Sequence, residues 1–189
     1  PNLESLILWN ANVTDDQLKE IANLAHLREL YLGGTKITSR GLKHLGPLVH
    51  LRRLHLDKTR VSGAGMRHVG ELLQLRELVL EDTNVRDKGL MYLRTLSQLK
   101  VLILEDTGVT DKGMSNLSSL TGLRHLDLAD TRVGNTGLDR LATLTDLRVL
   151  VLRETRVGDA GLSQGMGSEG YQPTGPTGAD EVWVVPSPS

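Results

Sequence analysis

Apolar residues recur along this chain at one fixed interval. Segments beginning at Leu3, Leu27, Leu51, Leu75, Leu99, Leu123 and Leu147 superpose every 24 residues, with no insertion or deletion through six and a half copies. The shared pattern is LxxLxLxxTxVxDxGLxxLxxLxx, seen plainly in LRELVLEDTNVRDKGLMYLRTLSQ from Leu75. Of its 49 apolar sites, 47 hold apolar residues, and the exceptions, Gly165 and Ser168, both fall in the last copy. Chance does not give such regularity, so one structural unit is repeated. Within a copy, Leu78 and Leu80 alternate with Glu77, Val79 and Glu81, which is the two-residue period of a short strand. Asp87 then stands where a helix N-cap is expected, and Leu90, Leu93 and Leu96 follow at helical spacing. One such unit cannot bury its leucines alone, whereas stacked units can. Strands stack about 4.8 Å apart and helices about 8–10 Å apart, so the stack must curve with its sheet on the concave side.

The stretch LxxLxLxxT, as in Leu75 to Thr83, resembles the leucine-rich repeat signature, with Thr where that family usually has Asn or Cys. The second half of each copy, as in VTDKGMSNL, is similar to the helix-containing 24-residue classes of that family, the cysteine-containing and bacterial ones. The resemblance covers about residues 3–162. It implies a right-handed α/β solenoid, a horseshoe arc with a concave parallel sheet and convex short helices, and a role in protein–protein recognition. The expected organisation is a repeat domain of about seven coils over 1–162, then an irregular Gly/Pro-rich tail over 163–189. In that tail Glu181 to Val185, EVWVV, reads as a strand able to cover the sheet edge beside Leu147–Leu152.

Several columns have packing explanations. Thr35, Thr59, Thr83, Thr107, Thr131 and Thr155 close successive strands, where their hydroxyls can bond backbone of the neighbouring turn. Gly41, Gly65, Gly89, Gly113, Gly137 and Gly161 fall in the first helical turn, a costly place for glycine unless the preceding coil approaches closely. The first copy has Ala11, Gln17 and Glu4 in place of the Thr, Gly and basic residue of later copies. Those lapses mark residues 3–26 as an expected N-terminal coil.

Composition narrows the function classes. The chain has 189 residues, 22 Lys+Arg against 23 Asp+Glu, and a formal net charge of −1, so total charge does not point to nucleic acid or to a membrane surface. It has no Cys, hence no disulfide and no thiolate metal site, which leans away from the disulfide-capped extracellular members of the family it resembles. No apolar run approaches the roughly 18 residues of a membrane helix. There is no Phe, so Leu, Val and Ile must fill the core. The expected compartment leans to the cytoplasm, with an envelope or secreted setting left open.

Register places four columns on the concave wall: Ser5 to Val149, Ile7 to Val151, Trp9 to Arg153 and Asn10 to Glu154, each stepping by 24. These positions vary while the leucines do not, so a ligand can be specified there. Glu81, Asp82, Glu105, Asp106, Asp127 and Asp130 come from three adjacent coils and repel one another at strand spacing. They read as a solvated rim, as a seat for a basic partner, or as an oxygen cluster suited to calcium, although no EF-hand-like spacing supports the ion. Trp9 and Tyr31 read as anchors for a partner or as a cover for the open end. With His55, Asp57, Ile103 and His125 they complete the candidate partner-binding set. No catalytic, cofactor-binding or metal-binding residue is expected. His55 and His125 lie three coils, about 14–15 Å, apart and cannot share a metal or proton. The basic column Arg28, Arg52, Arg76, Lys100, Arg124 and Arg148 reads as stems covering leucines with heads on turn carbonyls, or as a polyanion track.

The reading that results is a non-enzymatic module that binds a protein partner, a basic or mixed polar segment, on its concave face. No cofactor, nucleic acid or membrane insertion is expected, and homodimerisation through a coil end is left open. The alternatives are a structural spacer and the recognition part of a larger effector or ubiquitin-ligase-type assembly.

Overall fold

The computed structural model describes residues 2–158, and beyond them the backbone of 172–173 and 182–184. Seven three-residue strands carry the repeat: β1 (Ser5–Ile7), β2 (Glu29–Tyr31), β3 (Arg53–His55), β4 (Glu77–Val79), β5 (Val101–Ile103), β6 (His125–Asp127) and β7 (Val149–Val151). They pair in parallel in chain order, each residue facing the one 24 positions later, as in Leu78↔Leu102 and Val79↔Ile103. The ladder outlasts the strands. In the first six coils the second inward leucine donates its N–H onward, Leu80 to the Ile103 carbonyl at 3.0 Å, and Asp82 repeats the bond to Glu105 at 3.0 Å. Two more strands follow, β8 (Gln172–Pro173) and β9 (Val182–Val184). β9 runs antiparallel on β7 with Leu150↔Trp183, and β8 lies outside it. The rest of the tail expected to be irregular lies outside the described residues.

The core is the leucine pattern itself. Leu30, Leu54, Leu78, Leu102, Leu126 and Leu150 are wholly buried, as are the helix-side Leu42, Met66, Leu90, Met114 and Leu138. Burying each such side chain contributes about 1.5–3 kcal/mol, so coil-to-coil stacking rather than any single coil holds the fold. Among the described residues the first coil packs against a coil on one side, and its Leu3, Ile7 and Trp9 are 40%, 59% and 54% exposed.

The convex side returns in single turns. α1 (Asp15–Ile21) is the longest helix among the described residues, followed by a 3₁₀ turn at Gly41–Leu45, α2 (Met66–Val69), α3 (Asp87–Leu90) running into a 3₁₀ turn at Met91–Thr95, α4 (Asp111–Met114) and α5 (Asn135–Asp139). The glycine column is where these turns touch. A Cβ on Gly113 would sit 2.6 Å from the Asp87 carboxylate and 3.0 Å from Leu90, and one on Gly137 would sit 2.5 Å from Asp111. The first coil departs from this column because Gln17 is exposed and folds back, its Oε1 accepting the Thr14 N–H at 2.9 Å.

Two local expectations are corrected. Asp87 does not cap its own helix: Arg86 holds the N-cap position, and the Asp87 carboxylate accepts from the N–H and hydroxyl of Thr110 in the next coil, both at 2.8 Å. Asp15 does the same for Thr38, and Asp111 for the Gly134 N–H. The Thr hydroxyls bond within their own turn rather than across to the neighbour. Thr83 donates to the Leu80 carbonyl at 2.6 Å, and the other five repeat that bond.

Candidate functional site

The outward side chains of β1–β7 and of the turns after them form one continuous wall. Its N-terminal half is aromatic and ion-paired. Trp9 meets Tyr31 edge-on with ring centroids 5.5 Å apart, and Tyr31 meets His55 at 4.6 Å. Beside this ridge Arg53 bridges two strands: its Nη1 donates to Glu29 at 2.6 Å and its Nε lies 3.3 Å from Glu77. The other Glu77 oxygen is 2.8 Å from His55 Nε2. Burial raises the Tyr31 pKa, with Arg53 opposing the rise and the charge of Glu29 adding to it, and the phenol donates to Glu29 at 3.3 Å.

The C-terminal half is acidic at its centre. Asp127 is packed between Ile103 and Val151 in register, and His125 between Val101 and Val149. Asp127 Oδ1 accepts the Ala129 N–H at 2.9 Å, while His125 Nε2 is buried without a hydrogen-bond partner among the described residues. Burial raises the Asp127 pKa; the Ala129 N–H, His125 and Arg153 oppose that rise. Burial, then the charge of Asp127, raises that of Glu105. Both shifts have the sign of crowded, partly desolvated carboxylates. Two cations partly offset the cluster. Arg153 reaches Glu105 at 2.5 Å and Asp130 at 3.5 Å, and Lys58 reaches Glu81 at 3.0 Å. Among the described residues no ion pair reaches Asp82, Asp106 or Asp127.

Asp82, Asp106 and Asp130 owe part of their identity to the backbone. The whole column has positive φ: Asn10 56°, Gly34 69°, Lys58 53°, Asp82 48°, Asp106 50°, Asp130 54° and Glu154 53°. Asn, Asp and Gly tolerate that left-handed conformation best, so this column is not set free of the fold as its sequence variation suggests. The same turns line an open groove of ≈ 490 Å³ in which Asp82, Asp106 and Asp130 alternate with Lys58, Arg60, Arg86 and Arg132. Its surface is mixed, not uniformly acidic. Asp57 fits against Gly33 of the preceding coil, where any Cβ would collide with its carboxylate.

Apart from Asp57, which sits against Gly33, the expected partner-binding residues therefore fall into two groups. Trp9, Tyr31 and His55 stack as one ridge, and Glu81, Asp82, Glu105, Asp106, Asp127 and Asp130 gather over three coils, with Ile103 and His125 among them. Sequence reasoning missed the Glu29–Arg53–Glu77 bridge and the reach of Arg153. The alternating sign of residues 29, 53 and 77 in one column is the signal that carries the first. The basic column is also corrected: among the described residues only Lys100 reaches a turn carbonyl, that of Gly122 at 3.0 Å, and Arg28 pairs with Glu4 at 3.5 Å. Among the described residues no group of three or more His, Cys, Asp or Glu is arranged to hold a metal ion, and no helix is long and apolar enough to cross a membrane.

A family model described as a leucine-rich repeat region matches residues 2–166. No curated protein matches the chain. Among solved structures, an internalin (InlF) of Listeria monocytogenes is similar with 22% identity and a TM-score of 0.65, over 87% of this chain and 52% of that one. Internalin C2 of the same organism is similar with 23% identity and a TM-score of 0.65, over 85% of this chain and 76% of that one. The chain thus spans about half the length of the first of these structures, and at such identity the likeness is one of fold.

Proposed function

This chain belongs to the leucine-rich repeat family, and from that membership and the geometry of its sheet we propose a non-enzymatic recognition module whose concave face binds a basic or mixed polar segment of a protein partner. The observation that carries the reading is the carboxylate cluster of three adjacent coils. Glu105 and Asp127 have pKa values raised first by burial, and Asp127 also raises that of Glu105. A partner cation placed over them relieves the repulsion and neutralises Asp127, which no ion pair reaches among the described residues. The apolar collar of Val101, Ile103, Val149 and Val151 offers the aliphatic stem of a Lys or Arg somewhere to pack. The Trp9–Tyr31–His55 ridge supplies large, already ordered contact area at the other end. A wall fixed by a continuous ladder loses little entropy on binding.

The test is the triple charge reversal D82K, D106K and D130K, read against a partner captured by the parent chain. Affinity should fall at least about ten-fold and its salt dependence should change. Unchanged affinity and salt slope would remove the acidic face from the interaction.

A second reading, self-association through the first coil, is favoured by the exposure of Leu3, Ile7 and Trp9 on one edge. Light scattering across a concentration series decides it, since a constant monomer mass rules it out.

A further inference from the structure

The edge of the sheet where the strands begin carries chemistry opposite to the acidic cluster. One cation per coil stands there in 24-residue register, from Arg28 to Arg148. In the middle coils this column lines an open groove of ≈ 420 Å³ together with Arg53, Glu29 and Glu77. Most of its charges are already engaged. Arg28 pairs with Glu4, Arg53 with Glu29 and Glu77, and Lys100 bonds the Gly122 carbonyl. Arg52 and Arg76 differ: among the described residues their side chains make no ion pair and no hydrogen bond. Arg52 also lines the adjoining recess of ≈ 140 Å³, beside His26, His50 and Gln74. Two guanidinium groups on neighbouring coils, about 4.8 Å apart in the backbone, thus face a groove whose carboxylates are paired with Arg28 and Arg53 and not with them.

We propose that this edge is a second docking surface, which takes an acidic polypeptide segment laid across coils two to five, with Arg52 and Arg76 as its ion-pairing contacts. Four coils span about 14 Å at strand spacing, which an extended chain rising about 3.3 Å per residue crosses in four to five residues. Two or three of its side chains then face the groove, enough for one carboxylate on each free guanidinium in a bidentate pair. The wall carboxylates Glu4, Glu29 and Glu77 select the class of ligand. A nucleic-acid strand brings a charge at every phosphate and meets repulsion at each of these acids, whereas a peptide can space its carboxylates and put neutral residues over them. On the concave wall Tyr31 meets Trp9 and His55 edge-on, so these rings form no open platform for successive bases.

The experiment uses the full chain, with fluorescence anisotropy of a labelled peptide of ten glutamates and, separately, a labelled ten-nucleotide thymidylate. The glutamate peptide should bind the parent chain in low salt. R52E/R76E should weaken it at least ten-fold, and R124E/R148E, the same change of charge outside the groove, less than three-fold. If R52E/R76E lowers the melting temperature, R52Q/R76Q replaces it, with a loss of at least three-fold expected. Absence of peptide binding, equal losses in the two pairs, or tighter binding of the oligonucleotide than of the peptide would each overturn the proposal.

Discussion

Asp106 has two reasons to be an acid, and they are separable. Its φ of 50° is a conformation that costs most side chains about 1–2 kcal/mol and costs glycine little. D106G should therefore leave stability nearly unchanged, while D106V should lose about 1–2 kcal/mol in urea unfolding. Equal effects of the two would show that the backbone does not select this residue. Asp127 gives the opposite case, an acid the fold disfavours. Burial raises its pKa, so between its ordinary value and the raised one the folded chain binds more protons than the unfolded chain, and stability falls as pH rises through that window. D127N removes the charge and keeps an oxygen for the Ala129 N–H. It should melt above the parent at neutral pH, with the gap closing below the ordinary Asp range, where the parent is protonated in both states. A lower melting point at neutral pH would contradict this. From sequence, Asp106 and Asp127 look alike. Parity places both on the wall, but it holds no information on φ or on the depth to which a side chain is packed, so the distinction between them was not legible.

At the level of the element, the strands were legible because two leucines one residue apart can only face inward if the intervening residue faces out. The convex turns were legible in position but not in detail. Asp87 has the chemistry of an N-cap, and its use on Thr110 depends on a coil 23 residues away, which local pattern cannot report. Glycine in those turns sets two magnitudes against each other. Alanine is favoured over glycine in a helix by up to about 1 kcal/mol, whereas overpacking costs about 1–3 kcal/mol. At Gly113 the added Cβ would meet Asp87 at 2.6 Å and Leu90 at 3.0 Å, so the second effect wins. G113A should lower stability, and a gain would show that the coils are not in close contact there.

At the scale of the molecule, a stack of coils has two ends, and here they differ. On one side β1 is the edge strand; on the other, β9 pairs with β7 through the register Val149↔Val184 to Val151↔Val182. Removing residues 163–189 takes away that pairing and leaves β7 with open backbone groups, a template for association. The shortened chain should show a mass by light scattering that grows with concentration and exceeds that of the full chain. Identical behaviour of the two would show that β9 does not protect the edge. The repeat made the architecture legible, because one period fixes every coil at once. The interaction surface was legible only as columns. Which charges are already paired depends on long side chains such as Arg53 and Arg153 reaching neighbouring coils, and the Arg153–Glu105 pair joins residues 48 apart.

All of this rests on adjacent coils stacking in one phase. The chain has no native cysteine, so single-cysteine variants report cleanly. Thiol labelling rates in V79C and I103C, on the concave wall, should approach those of a partly exposed thiol. L78C and L102C, one residue earlier and wholly buried in the parent, should react only through unfolding, at least about a hundred-fold more slowly. Comparable rates in the two pairs, or faster labelling of the leucine positions, would contradict the register from which the recognition surface is built.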